Sequence, residues 1–224
     1  MNKSIILLSG GLDSLVSLGL VKDKLNIELA LTFDYGQKSK EKEIDAAKEI
    51  AKFYNLKLEV IKLDFLKNIT KTSLVSTDKI PNFEKINNKE ETAKAVWVPN
   101  RNGLFLNIAG SYADADKYTH IIIGANKEEA QTFSDNTESF IDSINKELET
   151  STQNHPTVVA PLINYNKNDI VKLALDYKIP LELTMSCYDS TYGHCGKCES
   201  CQRLYRALEH NKDTYYKKVL FKNE

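Results

Sequence analysis

The chain has 224 residues and carries 30 Lys plus Arg against 31 Asp plus Glu, so its formal net charge is −1. Hydrophobic residues make up 42% of it and charged residues 27%, a composition that is typical of globular proteins. The near-zero net charge argues against attraction to nucleic acid by bulk charge. Apolar runs such as 5–8 fall far short of the roughly 18 residues of a membrane-spanning helix, and residues 1–4 do not begin a secretory leader. We therefore expect a cytoplasmic protein with reduced thiols, no membrane partner and no direct nucleic-acid partner.

Short β-rich segments alternate with helical segments along the chain. The predicted strands cover residues 4–8, 27–33, 56–63, 119–124 and 158–160. The predicted helices cover residues 14–24, 40–54, 103–115, 136–149, 168–177 and 199–210. Strand–helix–strand alternation implies parallel pairing, so the predicted fold class is α/β with a doubly wound, mostly parallel sheet. In such sheets ligands bind beyond the carboxyl ends of the strands, which points to the loops after residues 8, 33, 63 and 124.

The stretch between the third and fourth predicted strands is less regular. Residues 64–95 are polar, contain no glycine and show no clean periodicity, and we interpret them as a partly ordered excursion that could act as a lid. Residues 95–99 have the composition of a short extended segment. In the helix predicted at 103–115, helical spacing predicts that Leu104, Ile108 and Tyr112 face the core.

A glycine loop, Ser9-Gly10-Gly11-Leu12-Asp13-Ser14, follows the first predicted strand and opens a helix. Two glycines let the backbone turn and approach a ligand closely, and the free N–H groups at a helix N-terminus favour an anion. The loop lacks the Gly-Lys-Ser/Thr of a Walker A motif and does not match Gly-x-Gly-x-x-Gly. We interpret it as a phosphate cradle. The alternative is a plain glycine turn with Asp13 or Ser14 as helix cap.

A second loop, Phe33-Asp34-Tyr35-Gly36-Gln37, follows the second predicted strand. A loop at this neighbouring strand end can pack on an adenine base and hydrogen-bond its edge through backbone groups. The alternative is an ordinary strand-to-helix turn.

All four cysteines lie close together near the C-terminus. Cys187, Cys195, Cys198 and Cys201 have the spacing Cys-x7-Cys-x2-Cys-x2-Cys. Four thiolates in a reduced compartment favour a closed, structural zinc site. The alternatives are an iron–sulfur cluster, which also takes four thiolates, and dithiol chemistry, which would use only one Cys-x2-Cys pair. We expect His194 to lie beside the site or on the surface rather than to replace a cysteine.

Together these motifs resemble those of the QueC family, which contains the 7-cyano-7-deazaguanine synthases of the N-type ATP pyrophosphatase, or PP-loop, superfamily. The glycine loop follows that superfamily's Ser-Gly-Gly-x-Asp-Ser pattern. The resemblance covers nearly the whole chain and also rests on 33–37, on 98–102 with 105–106, on 123–124 and on Ser186-Cys187 with the trailing cysteines. It implies an adenine nucleotide alpha hydrolase-like PP-loop domain over residues 1–180 and a helical, zinc-binding segment over residues 181–224.

The resemblance also implies the reaction. Members convert 7-carboxy-7-deazaguanine and ammonia to 7-cyano-7-deazaguanine, a precursor of queuosine in tRNA, with ATP and Mg²⁺. A carboxylate has no good leaving group, so it is adenylated with release of pyrophosphate, and ammonia then gives an amide. A second adenylation lets the amide oxygen leave and forms the nitrile.

Site residues follow from the same resemblance and from the loops that it places together. The expected ATP-binding residues are Leu8, Ser9, Gly10, Gly11, Leu12, Asp13, Ser14, Phe33, Tyr35, Gly36 and Gln37. The expected catalytic residues are Asp13, which orients the loop or holds Mg²⁺, and Arg101, which can meet a carboxylate or phosphate bidentately. The expected substrate-binding residues are Arg101, Asn102, Lys127, Glu128 and Asp135. The family often shows Pro-Gly-Arg-Asn at 99–102 and Tyr-Pro-Asp-Cys-Arg at 133–137, where this chain has Asn100 and Phe-Ser-Asp-Asn-Thr.

Two other functions use the same loop. A tRNA-thiolating PP-loop enzyme would adenylate a nucleobase, but it predicts a basic surface or an added RNA-binding domain. A non-catalytic, zinc-stabilised nucleotide-binding module would need no acceptor pocket. The family resemblance further implies a homodimer, and the stretch 215–221 is predicted either to form the contact or to cap its own domain.

Overall fold

The computed structural model describes residues 3–75, 96–188 and 193–221. The strands are β1 (Lys3–Leu7), β2 (Asn26–Asp34), β3 (Lys57–Lys62), β4 (His120–Ile122) and β5 (Thr157–Val159). The α-helices are α1 (Leu12–Val21), α2 (Lys40–Phe53), α3 (Asp64–Ile69), α4 (Arg101–Asp116), α5 (Lys127–Ala130), α6 (Glu138–Ser151), α7 (Lys167–Asp176), α8 (Glu199–His210) and α9 (Tyr215–Leu220). Short 3₁₀ turns cover Ser134–Asn136 and Leu181–Leu183.

The five strands form one parallel sheet in the order β3-β2-β1-β4-β5. The chain builds outwards from β1 through β2 to β3, and then returns to place β4 on the other side of β1. The strand order therefore reverses between β1 and β4, and the predicted doubly wound α/β class is confirmed. This reversal point is where such sheets bind ligands.

Apolar residues cover both faces of the sheet. Along β1, Ile5 points into one cluster with α4 and α6, whereas Ile6 points into the other with α1, α2, α7 and α8. Successive side chains of a strand alternate between faces, so an unbroken apolar run is what a doubly covered strand requires. Residues before and after position 180 share the second cluster, which includes Leu204 of α8. The domain division at that position stays a prediction.

The inward face of α4 differs from the prediction. Leu104, Ile108 and Tyr112 are only partly buried, and the fully buried stripe consists of Leu106, Ala109, Gly110 and Ala113. Small residues let α4 approach its neighbours closely: a Cβ on Gly110 would lie 2.6 Å from Leu148 Cδ2 of α6.

The irregular stretch after β3 is partly helical. It begins with α3, and residues 70–75 continue as turns. The remainder of the predicted lid, 76–95, lies outside the described residues. Of the predicted extended segment 95–99, the described residues 96–99 add no strand to the sheet, although Val98 is buried. None of the described helices combines the length and the apolar character needed to cross a bilayer.

The turn between β1 and α1 requires its first glycine. Gly10 has φ +80°, and a Cβ there would clash with the carbonyl oxygen of Glu43 on α2. Gly11 has φ −84° and ψ 170°, an ordinary extended conformation, and its nearest neighbour to a Cβ would be Ser9 Oγ at 3.3 Å. Gly10 is thus required by the turn, whereas the position of Gly11 accepts a Cβ with only a small shift of the Ser9 hydroxyl.

We predict that Gly10→Ala and Gly11→Ala differ sharply in stability. Gly10→Ala should lower the free energy of unfolding by at least about 2 kcal/mol, because it adds left-handed strain and a clash with α2. Gly11→Ala should change it by no more than about 0.5 kcal/mol. Urea denaturation followed by circular dichroism measures both, and equal losses would contradict this account of the turn.

Candidate functional site

A cleft of about 270 Å³ opens at the carboxyl ends of β1, β2 and β4. Most residues predicted for ATP, catalysis and substrate line it, namely Leu8, Ser9, Gly11, Leu12, Asp13, Ser14, Phe33, Tyr35, Gln37, Arg101, Asn102 and Asp135. These side chains come from four separate stretches of sequence. The structure brings them together, and their individual roles stay predictions.

Four predicted residues do not line the cleft. Gly10 and Gly36 have positive φ and form turns in the loops that follow β1 and β2. Lys127 is exposed at the start of α5. Glu128 contacts the start of α7 instead: its Oε2 accepts a hydrogen bond from the backbone N–H of Lys167 at 3.1 Å.

Hydrogen bonds made by the hydroxyls of Ser9 and Ser14 fix the conformation of the glycine loop. Ser9 Oγ accepts a hydrogen bond from the Gly11 N–H at 3.3 Å and lies 3.1 Å from Ser14 Oγ. Ser14 Oγ donates to the Gly11 carbonyl at 3.0 Å. The positive end of α1 therefore faces the cleft beside two hydroxyls, which is a favourable environment for phosphate.

The loop after β2 is ordered by Gln37. Its Oε1 accepts from the Tyr35 N–H at 3.0 Å, and its Nε2 donates to the Phe33 carbonyl at 3.0 Å and to Glu43 Oε2 at 2.9 Å. Burial raises the pKa of Glu43, while hydrogen bonds from Ser39 and Gln37 oppose that rise. The Tyr35 N–H is thus already paired with Gln37, whereas the Phe33 carbonyl keeps a second lone pair.

A buried ion pair lies beside the glycine loop. Lys167 Nζ is 2.5 Å from Asp13 Oδ2, and the two side chains are only 10% and 23% exposed. Burial raises the pKa of Asp13, and the positive charge of Lys167 opposes that rise. Asp13 Oδ1 is buried and has no hydrogen-bond partner among the described residues. A carboxylate oxygen left free in this way suits a cation such as Mg²⁺.

Sequence reasoning missed Lys167, although the sequence contained a signal. Lys167 is the first residue of α7, directly after the capping residue Asn166. A cation at a helix N-terminus opposes the helix dipole, so it needs a compensating partner. Only the fold supplies that partner, because Asp13 is 154 positions away.

Further charges link this ion pair to the cysteine segment. Glu129 of α5 lies 3.8 Å from Lys167 Nζ and 3.1 Å from Arg203 of α8. Arg203 also pairs with Glu199, one turn earlier on α8, and with Glu128 at 3.5 Å. Alternating charges thus run from the glycine loop to the helix that carries Cys201.

Aromatic rings and Asp135 line the far side of the cleft. Trp97 and Phe133 lie nearly parallel, at 14°, with ring centroids 6.1 Å apart. The Asp135 backbone accepts from Asn102 Nδ2 at 3.2 Å, and its Oδ1 accepts from Asn136 Nδ2 at 3.0 Å. Burial raises the pKa of Asp135, and the nearby Arg101 guanidinium opposes that rise.

The four cysteines meet as predicted. Their sulfur atoms lie within 4.8 Å of one another, with Cys195 and Cys201 4.0 Å apart. Tetrahedral zinc with bonds of about 2.3 Å requires sulfur separations near 3.8 Å. Backbone N–H groups point at two of the sulfurs: Cys195 N donates to Cys187 Sγ at 3.4 Å, and Cys198 N donates to Cys195 Sγ at 3.3 Å. This donor set fits a metal ion.

The thiols also compete electrostatically. Hydrogen bonds from Cys187 and Cys201 lower the pKa of Cys198 to about 2, whereas those bonds raise the pKa of the other two thiols. Four sulfurs this close cannot all ionise unless a cation neutralises them, which is the arrangement that a thiolate-bound metal provides.

Comparison with known proteins finds relatives that match most of this chain. A family model described as "Queuosine biosynthesis protein QueC" matches residues 3–212. A 7-cyano-7-deazaguanine synthase of Carboxydothermus hydrogenoformans is 48% identical over 211 aligned residues, covering 92% of this chain and 98% of that protein. The synthase of Methanosarcina barkeri is 44% identical over 216 residues, covering 92% and 94%.

A solved structure shares the fold. A predicted subunit of tRNA methyltransferase from Methanocaldococcus jannaschii superposes with a TM-score of 0.50 and 18% identity, covering 79% of this chain and 76% of that one. At that identity the likeness shows architecture alone. The family model and the curated relatives, each spanning most of the chain, show an enzyme, and the chain belongs to the QueC family of queuosine biosynthesis.

Proposed function

We propose that this enzyme uses ATP to convert 7-carboxy-7-deazaguanine and ammonia to 7-cyano-7-deazaguanine. The observation that supports the proposal is the cleft itself, which is lined by the glycine loop and by Arg101, Asn102 and Asp135. The identity to curated synthases, 44–48% over nearly the whole chain, supports the choice of substrate.

The glycine loop and Lys167 serve the adenylation step. The substrate carboxylate attacks the α-phosphorus of ATP, pyrophosphate leaves, and the loop N–H groups with Lys167 stabilise the phosphate charge. Asp13, whose Oδ1 has no hydrogen-bond partner among the described residues, would hold Mg²⁺, and the ion would supply further charge neutralisation. Ammonia then displaces AMP to give the amide, and a second adenylation activates the amide oxygen, so that loss of AMP leaves the nitrile.

Asp135 and the aromatic pair serve base recognition. A carboxylate can accept hydrogen bonds from the ring N–H and the amino group of a 2-aminopyrimidinone ring, which the deazapurine shares with guanine. Trp97 and Phe133 offer ring faces on which a planar heterocycle stacks. Arg101, which is half-buried and lines the same cleft, pairs with the carboxylate that reacts.

The cysteine cluster holds structural Zn²⁺ in this proposal. Four thiolates leave no coordination position for water or substrate, so the ion supports the fold rather than the chemistry. We also propose a homodimer in the cytoplasm. Within 215–221, Leu220 and Phe221 are buried in the chain's own core, which supports the capping role, and Tyr215 is 63% exposed.

Pyrophosphate release tests the proposed reaction. It should require ATP, Mg²⁺, the carboxylated base and ammonium together, and mass spectrometry should find the nitrile. The matched control replaces the substrate with 7-deazaguanine, which lacks the carboxyl group and should release nothing. Pyrophosphate release that ignores the acceptor, or that requires tRNA and a sulfur donor, would contradict the proposal.

Lys167→Met should lower kcat/KM by at least about 100-fold, because it removes the buried cation beside the reacting phosphate. Lys172→Met, an exposed lysine on the same helix, is the matched control and should retain activity. Steady-state kinetics at saturating ammonium measures both variants. A Lys167→Met enzyme within a few-fold of the wild type would exclude a role in adenylation.

Cys198→Ser should reduce bound zinc well below one ion per chain and lower Tm by at least about 5 °C, since structural zinc couples to folding. Lys197→Ala changes the exposed residue between two ligands and should keep both values. Elemental analysis and calorimetry supply the measurements. The wild-type protein should be colourless, and visible absorption with bound iron would assign a cluster instead.

A further inference from the structure

The segment that leads into the cysteine cluster is hydrogen-bonded directly to the glycine loop. Met185 N–H donates to the Gly10 carbonyl at 2.8 Å. The next residue, Ser186, accepts at its Oγ from the Leu12 N–H at 3.2 Å. One residue further lies Cys187, the first thiolate of the cluster. The loop is therefore held on both sides of Gly11 by residues adjacent to a metal ligand.

The cluster in turn fixes Ser186. The Ser186 N–H donates to His194 Nε2 at 3.3 Å, and His194 precedes Cys195, the second thiolate. Cys195 N–H donates back to Cys187 Sγ at 3.4 Å. Cys187, the residue after Ser186, is fully buried. These two hydrogen bonds therefore fix the position of Ser186 relative to Cys187 and Cys195.

Ser186 also lines the cleft. Its Oγ occupies one N–H of the α1 N-terminus, while its own O–H is a donor that can be offered to a phosphate. The Ser186 hydroxyl can therefore accept a hydrogen bond from the N-terminus of α1 and donate one to a ligand at the same time. If loss of the metal displaced Ser186, the glycine loop would lose this hydroxyl as a donor to phosphate.

We propose that Ser186 is a positioning residue through which the metal site and the nucleotide loop stabilise each other, so that zinc and ATP bind cooperatively. This inference rests on the proposed use of ATP and zinc. Cooperativity between two ligands is reciprocal: the factor by which zinc strengthens ATP binding equals the factor by which ATP strengthens zinc binding.

The test measures that factor on the zinc-loaded protein. The apparent zinc affinity is titrated with a chromogenic chelator in the absence and presence of saturating ATP and Mg²⁺. For the wild type, ATP should strengthen zinc binding by about 5-fold or more, the lower range of typical coupling between sites. Ser186→Ala should reduce the factor to about 2 or less while it keeps one zinc per chain, and Ser186→Thr, which retains the hydroxyl, should restore it.

Thr184→Val is the matched control. Thr184 lies two residues before Ser186, and its buried Oγ1 has no hydrogen-bond partner among the described residues. This variant should keep the wild-type factor, so that a general loosening of the segment is distinguished from loss of the Ser186 hydrogen bond.

The outcomes separate this inference from the function on which it rests. A wild-type protein that binds no ATP by calorimetry would overturn both. A wild type that binds ATP without strengthening zinc binding, or with weaker zinc binding, would overturn the coupling alone. An undiminished factor in Ser186→Ala would exclude Ser186 as the connection.

Discussion

The site depends on the parallel pairing of β1 with both β2 and β4. Leu7 lies opposite Leu31 in β2, and Ile6 lies opposite Ile122 in β4. Because the three strands run in the same direction, the loops that follow them leave the sheet at one edge and meet there. Because β1 is apolar on both faces, its register depends on how Ile5 and Ile6 fit the two clusters that they enter.

Charge burial is the cost of that arrangement. Asp13, Lys167 and Arg101 are all placed in the cleft, and isolated charges in such surroundings would be strongly destabilising. Each has a partner: Lys167 pairs with Asp13, and Arg101 Nη1 lies 3.5 Å from Tyr35 Oη. The partners come from different helices and loops, so only the folded chain brings them together. Under the proposed function, these groups exchange part of this pairing for the phosphates and carboxylate of the substrates.

The cysteine segment joins this arrangement from the far end of the sequence. Cys187, Cys198 and Cys201 lie in the same apolar cluster as α1 and α7. Arg203 continues the charge network towards the glycine loop, and Ser186 reaches the loop by a hydrogen bond. Neighbours of the cysteines, Ser186 and Ser200 among them, line the cleft, although none of the four cysteines is among its lining residues.

The sequence by itself determined the fold class, the two loops at the strand ends and the four-cysteine cluster, because each is written in contiguous residues whose spacing has a local physical meaning. It misjudged the buried stripe of α4, since a helix that is apolar on several sides does not reveal which side packs on the sheet. Only the tertiary structure decided that Lys167 compensates Asp13 and that Ser186 caps Leu12. These contacts join residues that are 154 and 174 positions apart in the sequence. A local sequence pattern cannot predict such a contact, because the two residues become neighbours only when the chain folds.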